Sequence, residues 1–221
     1  MKEVNSYGWK AVIGSSIGYA MDGFDLLILG FMLTLISGDL GLTTGQAGSL
    51  VTWTLVGAVI GGFIFGTLSD KFGRVRVLTW TIVLFAIFTG LCAFAQGYWD
   101  LLIYRTIAGI GLGGEFGIGM ALAAEAWPAQ HRAKATSYVA IGWQLGVLAA
   151  ALLTPVLLPH IGWRGMFMVG IIPAFVAWFF RAKLHEPEIF VQSKDTKEHS
   201  HTNSFKLLVK DVRTTKTSIG V

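Results

Sequence analysis

Two long uncharged stretches, separated by a short charged segment, constrain this chain more than any other sequence feature. Asp, Glu, Lys and Arg are absent from Leu40 to Ser69 and again from Val77 to Trp99. A helix needs roughly 20 apolar residues to cross the hydrocarbon core of a bilayer, and each stretch is long enough. The segment between them is too short for anything but a tight turn at one membrane face. Its charged residues are Asp70, Lys71, Arg74 and Arg76.

Composition agrees with a membrane protein. Of the 221 residues, 53% are hydrophobic and 14% are charged, whereas soluble domains carry about 25% charged residues. We therefore expect an all-α membrane protein whose residues 1–183 form six transmembrane helices, followed by a polar cytoplasmic loop or tail at 184–221. The six spans are predicted at about 11–37, 46–68, 77–98, 100–124, 135–158 and 164–181.

The basic residues lie mostly on one side of these spans, and they predict the orientation. Cytoplasmic loops carry an excess of Lys and Arg, which places the N-terminus and the turn at 70–76 inside. The outer turns carry only Arg164, with Asp39 and Asp100. Most of the basic residues behind the net charge of +4 lie at span ends and in the tail, where the membrane accounts for them. We therefore expect the bilayer rather than nucleic acid as partner. The inner basic residues before Arg181 are Lys2, Lys10, Lys71, Arg74, Arg76, Arg132 and Lys134.

The charged turn also carries a specific pattern of small, acidic and basic residues. Gly66-x-Leu-Ser-Asp70-x-x-Gly73-Arg74-x-Arg76 resembles the loop between helices two and three of the major facilitator superfamily. An ordinary turn with excess positive charge would explain the basic residues, but not Gly66, Asp70 and Gly73. The resemblance implies one six-helix half of a transporter, the N-terminal one, with a missing C-terminal half as its partner and the substrate cavity between the halves.

Two further segments resemble the same superfamily. Arg105-x-x-x-Gly109 matches its fourth-helix signature, and Glu125-x-x-Pro128-x-x-x-Arg132 matches the loop that follows. Glu125 and Arg132 are expected to pair with the Asp70–Arg76 turn as a cytoplasmic gate. Simple solvation at the membrane surface is the alternative for these two residues.

Four charged residues lie well inside the predicted spans, away from their ends, where charge is costly and marks function by default. Asp22 lies near the midplane, and Asp25 follows three residues later on the same helical face. Proton or substrate coupling and a structural ion pair both remain open for these acids. Arg105 should lie at the depth of Asp25, where it can pair with an acid or receive a substrate carboxylate. Glu115 is either a second proton site or a hydrogen-bonded structural acid.

Two other features of the spans bear on packing and binding. Gln144, in the middle of the fifth span, could donate a hydrogen bond to substrate or pack between helices. Glycines recur at four-residue spacing, which lets helix backbones approach closely in lipid. The repeated sets are Gly57/Gly61, Gly62/Gly66, Gly109/Gly113/Gly117 and Gly142/Gly146.

The sequence contains no pattern typical of an enzyme, such as a paired-histidine metal motif, a nucleophile elbow or a phosphate loop. Asp22-Gly-Phe-Asp25, Glu125-x-Trp-Pro128 and Gly162-Trp163-Arg164 together resemble the proton symporters of aromatic acids, sialate and monocarboxylates. This resemblance implies uptake of an organic anion with a proton across the plasma or bacterial inner membrane, with no cofactor besides the coupling ion. A sugar or polyol porter and a non-transporting half-length protein are the alternatives.

The position of the cavity gives one more expectation. Because the cavity of the superfamily lies between two halves, the charged side chains of a single half should face an open groove. The residues concerned are Asp22, Asp25, Arg105 and Glu115.

Overall fold

The structure is a computed structural model that describes residues 6–181, and five long helices account for almost all of this part of the chain. They are α1 (Ser6–Leu40), α2 (Thr44–Phe72), α3 (Arg74–Cys92), α4 (Tyr98–Glu125) and α5 (Arg132–Arg181), with a single 3-10 turn at Ala129–His131. Each of the five is long and apolar enough to cross a membrane. The loop or tail predicted at 184–221 lies outside the described residues.

Helix α5 contains two of the predicted spans. Its 50 residues extend over about 75 Å at 1.5 Å per residue, more than twice the thickness of a bilayer core. The helical geometry breaks at Gly162, where φ is 64° and ψ is 178°. The spans predicted at 135–158 and 164–181 lie on opposite sides of this break, in a first arm (132–161) and a second arm (163–181).

A single glycine separates α2 from α3. Gly73 has a φ of 105° and a ψ of 151°, and its N–H donates to the carbonyl of Ser69. Residues with a side chain rarely adopt a positive φ of this kind. The glycine of the turn motif is therefore the residue that allows two membrane helices to meet with no connecting loop.

The helix ends differ from the predicted bounds, most of all at the end of α3. Helix α3 was expected to reach residue 98 but ends at Cys92, and α4 begins at Tyr98 rather than at 100. Gly97 is fully extended, and the carboxylate of Asp100 accepts a hydrogen bond from the backbone N–H of Gln96 at 3.1 Å. Because Ala93, Phe94 and Ala95 are as apolar as the helices, hydropathy alone could not place the end of α3 at Cys92.

Glycines form the contact between α2 and α4. A Cβ atom added at Gly57 or Gly61 of α2 would overlap the backbone of α4, and one added at Gly113 of α4 would overlap the carbonyl oxygen of Ala58. Gly109 faces the carbonyl oxygen of Thr54 in the same way. The close approach predicted from the glycine spacing is confirmed at these positions.

The contact between α1 and the first arm of α5 is built in the same manner. Gly142 lies against the backbone of Ser16, and Gly146 lies against the backbone of Ala20. The spacing does not identify every contact, however. Gly66 and Gly117 belong to the same repeated sets, yet a Cβ at either would have no neighbouring atom within 4 Å.

The helices define two ends of the bundle. Near Gly73, an apolar cluster joins the start of α1, the end of α2, the start of α3 and the end of α4; we call this the Gly73 end. Near Gly162, another cluster joins the later part of α1, the 92–95 segment and the second arm of α5; we call this the Gly162 end. The candidate site lies between these two clusters.

Candidate functional site

A buried ion pair joins α1 to α4. Arg105 donates from Nη1 to Oδ1 of Asp25 at 3.0 Å, and from Nη2 to Oδ2 at 2.6 Å. Arg105 is 0% exposed and Asp25 is 1% exposed. Two parallel, charge-assisted hydrogen bonds of this kind are the strongest geometry available to a guanidinium and a carboxylate. The predicted similarity in depth of these two residues is confirmed, and in this conformation Arg105 binds an acid of its own chain.

Other elements complete the surroundings of the pair. The guanidinium carbon of Arg105 lies 5.7 Å from the ring centroid of Phe167 in the second arm of α5. Cys92, the last residue of α3, is also buried, in the same apolar cluster as Phe167. Side chains of α1 and of the second arm of α5 therefore converge on this guanidinium of α4.

Two more acids are buried nearby in the same set of helices. Asp22 is 0% exposed, one turn before Asp25 on α1, and Glu115 of α4 is 1% exposed. The Oγ1 of Thr81 on α3 donates to Oε2 of Glu115 at 3.4 Å. Tyr19, one turn before Asp22, donates its hydroxyl to the carbonyl of Phe116 at 2.8 Å. Tyr19 of α1 thus contacts the residue that follows Glu115 on α4.

The expectation that these four ionisable residues face an open groove is wrong. Asp22, Asp25, Arg105 and Glu115 all lie inside the half, at contacts between its own helices. A charge in an apolar medium is strongly disfavoured unless it is paired or hydrogen-bonded. Packing α1, α3 and α4 together gives Asp25, Arg105 and Glu115 such partners without a second half.

Gln144 takes a different position. It is exposed, whereas the preceding residue, Trp143, packs against the backbone of Gly23 and the ring of Phe116. Gln144 therefore does not join the buried cluster and does not pack between helices of the described part of the chain.

A second polar cluster lies at the Gly73 end. Arg74 binds Asp70 one turn earlier at 2.8 Å and Glu125 at the end of α4 at 3.2 Å. It also donates to the hydroxyl of Ser69, which in turn donates to the carbonyl of Gly66 at 2.7 Å. The predicted contact between Glu125 and the turn motif is thus present in the structure, and it fastens the α2–α3 turn to α4.

The other two basic residues assigned to this cluster behave differently. Arg132 and Arg76 are both exposed. None of the salt bridges between residues 6 and 181 includes Arg132. The structure therefore brings together Asp70, Arg74 and Glu125, and leaves Arg132 outside their network.

A third cluster, which we call the Asp39 clasp (Asp39, Trp163 and Arg164), was not predicted. The carboxylate of Asp39 at the end of α1 accepts hydrogen bonds from Nε1 of Trp163 at 3.0 Å and from Arg164. Arg164 lies 4.1 Å above the ring of Trp163 and donates to the carbonyl of Ala95 at 3.2 Å. The opposite charges of Asp39 and Arg164 on one predicted membrane face were the available signal.

The family model described as Major Facilitator Superfamily matches residues 15–219. The chain belongs to the major facilitator superfamily. Members of this superfamily are membrane transporters and not enzymes, and the long apolar helices of the chain agree with a multi-pass membrane protein.

Relatives within the superfamily agree with this assignment. The chain is 75% identical over 224 residues to a "putative metabolite transport protein" of Haemophilus influenzae, covering 99% of this chain and 55% of that protein. It is 40% identical to a probable 4-methylmuconolactone transporter of Cupriavidus pinatubonensis, over 81% of this chain and 43% of that protein. It is 32% identical to the sialic acid transporter NanX of Escherichia coli, over 87% and 48%. The chain thus spans about half the length of these relatives.

Solved structures of the superfamily share the fold. The xylose transporter XylE of Escherichia coli, in a partially occluded inward-open conformation, matches with a TM-score of 0.77 and 24% identity. The match covers 88% of this chain and 52% of XylE. This likeness shows the arrangement of helices expected for one half of a major facilitator.

Proposed function

We propose that this chain is the N-terminal half of a proton-coupled symporter for an organic anion, most simply a monocarboxylate. In the proposed arrangement it crosses the bacterial inner membrane six times, with the two arms of α5 as separate spans. The N-terminus and the Gly73 end face the cytoplasm. The observation that carries the proposal is the buried, bidentate pair of Asp25 and Arg105, with Asp22 and Glu115 buried in the same bundle.

The chemistry of the pair suits coupling of a proton to an anion. Protonation of Asp25 would cancel its charge and weaken its hold on Arg105, whose guanidinium remains charged at any physiological pH. The freed guanidinium could then receive a substrate carboxylate by the same bidentate geometry. Proton and anion would load together as a neutral pair, and movement of the two halves against each other would alternate access.

The names of the relatives support an organic anion as the substrate. One is named for 4-methylmuconolactone and another for sialic acid. Because the present chain spans about half of each relative, the second half would provide part of the cavity and part of the specificity. Asp22 and Glu115 are further candidates for the coupling proton, and Gln144 is a candidate substrate contact, since its exposed position is open to a second half.

The decisive experiment joins this chain to the second half of the Haemophilus influenzae relative in proteoliposomes. Saturable uptake of radiolabelled acids such as benzoate or sialate should depend on an imposed inward proton gradient and disappear when a protonophore is added. Uptake of xylose with no uptake of any acid would instead favour the sugar porter, and uptake that needs Na⁺ instead of a proton gradient would overturn proton coupling.

Asp25→Asn is expected to abolish gradient-driven accumulation of the acid. The amide cannot release a proton, so the empty carrier cannot return in its unprotonated form. Exchange of internal for external substrate needs no such release and should continue. Asp100→Asn, the same change at an acid in the first turn of α4, is the matched control and should accumulate substrate normally. Full concentrative uptake by Asp25→Asn would remove Asp25 from the coupling mechanism.

Arg74→Ala is expected to slow turnover by about tenfold while leaving the KM for substrate within a factor of two. The reason is that Arg74 ties the α2–α3 turn to Glu125 far from the buried pair, and a lost charge-assisted hydrogen bond is worth about 1.5–3 kcal/mol. Initial rates of uptake across a range of substrate concentrations give both parameters. Lys71→Ala removes an exposed positive charge from the same turn and serves as the control. A raised KM with unchanged turnover would contradict a gating role.

A further inference from the structure

A continuous series of side-chain contacts runs from the Asp39 clasp to the buried ion pair. It starts at the half-exposed carboxylate of Asp39, passes through Trp163 and Phe167, and ends at Arg105. Trp163 and Phe167 are separated by one turn of the second arm of α5. The two described polar clusters at this end of the bundle are thus connected by two aromatic rings.

The contact between Phe167 and Arg105 has the geometry of a cation–π interaction. The guanidinium carbon lies 5.7 Å from the ring centroid, within the range of about 6 Å in which such interactions are significant. Both residues are completely buried, and removal of water strengthens the attraction between a cation and a ring face.

The hydrogen bonds of Arg105 show why a ring is useful there. Its two terminal nitrogens donate to Asp25, whereas Nε is buried without a hydrogen-bond partner among the described residues. A buried guanidinium with an unsatisfied N–H is costly. The face of Phe167 provides favourable electrostatics for the cation without supplying a competing acceptor.

The position of the Phe167 ring is set by its other contact. The rings of Trp163 and Phe167 meet edge to face, with centroids 6.0 Å apart and planes at 89°. Trp163 is itself held by the hydrogen bond to Asp39 and by the Arg164 guanidinium above its ring. Because Asp39 and Arg164 are about half exposed, water screens their ion pair and it adds little to stability. Its evident effect is to orient Trp163.

We propose that Phe167 is a positioning residue that holds the Arg105 guanidinium in line with Asp25, and that the Asp39 clasp positions Phe167 through Trp163. The importance of this contact for transport rests on the function proposed above, since the pair is the coupling site in that scheme. The existence of the contact does not depend on that function, and the contact can be measured with no substrate and no proton gradient.

Three other titratable groups accompany Asp25 in the helices around the guanidinium. Asp25 on α1 pairs with Arg105 directly, and Cys92 at the end of α3 lies in the same apolar cluster as Phe167. Asp22 and Glu115 lie further along α1 and α4. All measurements are therefore compared at a single pH, so that differences between variants report on the ring and not on these groups.

The test replaces Phe167 alone, by site-specific incorporation, with mono-, di- and trifluorophenylalanine in the 221-residue chain. Fluorine withdraws charge from the ring face with little change of shape. Thermal unfolding in detergent is compared in two backgrounds, the natural pair and the double variant Asp25→Asn with Arg105→Met, in which the cation is absent. With the natural pair, we expect increasing fluorination to lower the Tm by about 4 °C, a shift corresponding to the loss of a desolvated cation–π contact. In the double variant, we expect the Tm to be the same across the series.

Two outcomes would overturn the proposal. An equal change of Tm in both backgrounds would mean that Phe167 only fills space. We expect Asp39→Asn to reduce the change of Tm caused by fluorination by at least half. An undiminished change in this variant would mean that the clasp does not position the ring. Absence of acid uptake in the proteoliposome assay, by contrast, would refute the proposed function and leave this measurement unaffected.

Discussion

Arg105→Met is expected to lower the free energy of unfolding by about 3–5 kcal/mol, because it leaves the carboxylate of Asp25 buried without its cation. Asp25 is 1% exposed, so water cannot replace the two lost hydrogen bonds. The double variant Asp25→Asn with Arg105→Met should recover most of this loss, since neutral groups of similar size often replace a buried pair without cost. Unfolding by denaturant or heat in detergent micelles provides the measurement.

The matched control for this prediction is Arg132→Met, which makes the same chemical change at an exposed position and should alter stability by less than about 0.5 kcal/mol. If the double variant were as unstable as Arg105→Met alone, the cause would be lost packing and not an uncompensated charge.

Gly113→Ala is expected to lower the free energy of unfolding by about 3 kcal/mol, in the upper range for an overpacked site. The added methyl group would overlap the carbonyl oxygen of Ala58. Since the obstructing atoms belong to the backbone of α2, no side chain can rotate out of the way. The two helices would have to separate along a contact that also includes Gly57, Gly61 and Gly109.

Gly117→Ala is the opposite case on the same helix. A Cβ at Gly117 meets no atom within 4 Å, and alanine favours a helix over glycine by about 1 kcal/mol. We therefore expect Gly117→Ala to leave stability unchanged or raise it by up to this amount. Unfolding temperatures of both variants in the same detergent test the contrast, and equal destabilisation by the two substitutions would contradict the observed α2–α4 contact.

Sequence reasoning predicted the membrane helices because the requirement is simple: an uncharged stretch must be long enough to cross the bilayer. The turn at Gly73 could be predicted for a related reason, since charged residues interrupt the apolar stretches there. The turn between α3 and α4 was predicted a few residues too late, at 99 instead of 93–97, because Ala93, Phe94 and Ala95 are as apolar as the helices.

The candidate site was predictable only in part. The constant rise of a helix placed Asp25 and Arg105 at similar depth, and their contact confirms that inference. The partner of Arg105 remained open, because depth does not say which helical faces meet. The same limit applies to the Asp39 clasp, in which Trp163 and Arg164 lie 124 and 125 positions after Asp39 in the chain.

The sequence by itself determined that this chain is a helical membrane protein with charges inside its spans, because composition and spacing decide what a bilayer will accept. The tertiary structure alone decided that these charges are buried within the half rather than exposed in a groove. It also decided that Gly113 touches α2 whereas Gly117 does not. The physical reason is that hydropathy acts on each helix separately, while pairing and close packing depend on the rotation of each helix against its neighbours.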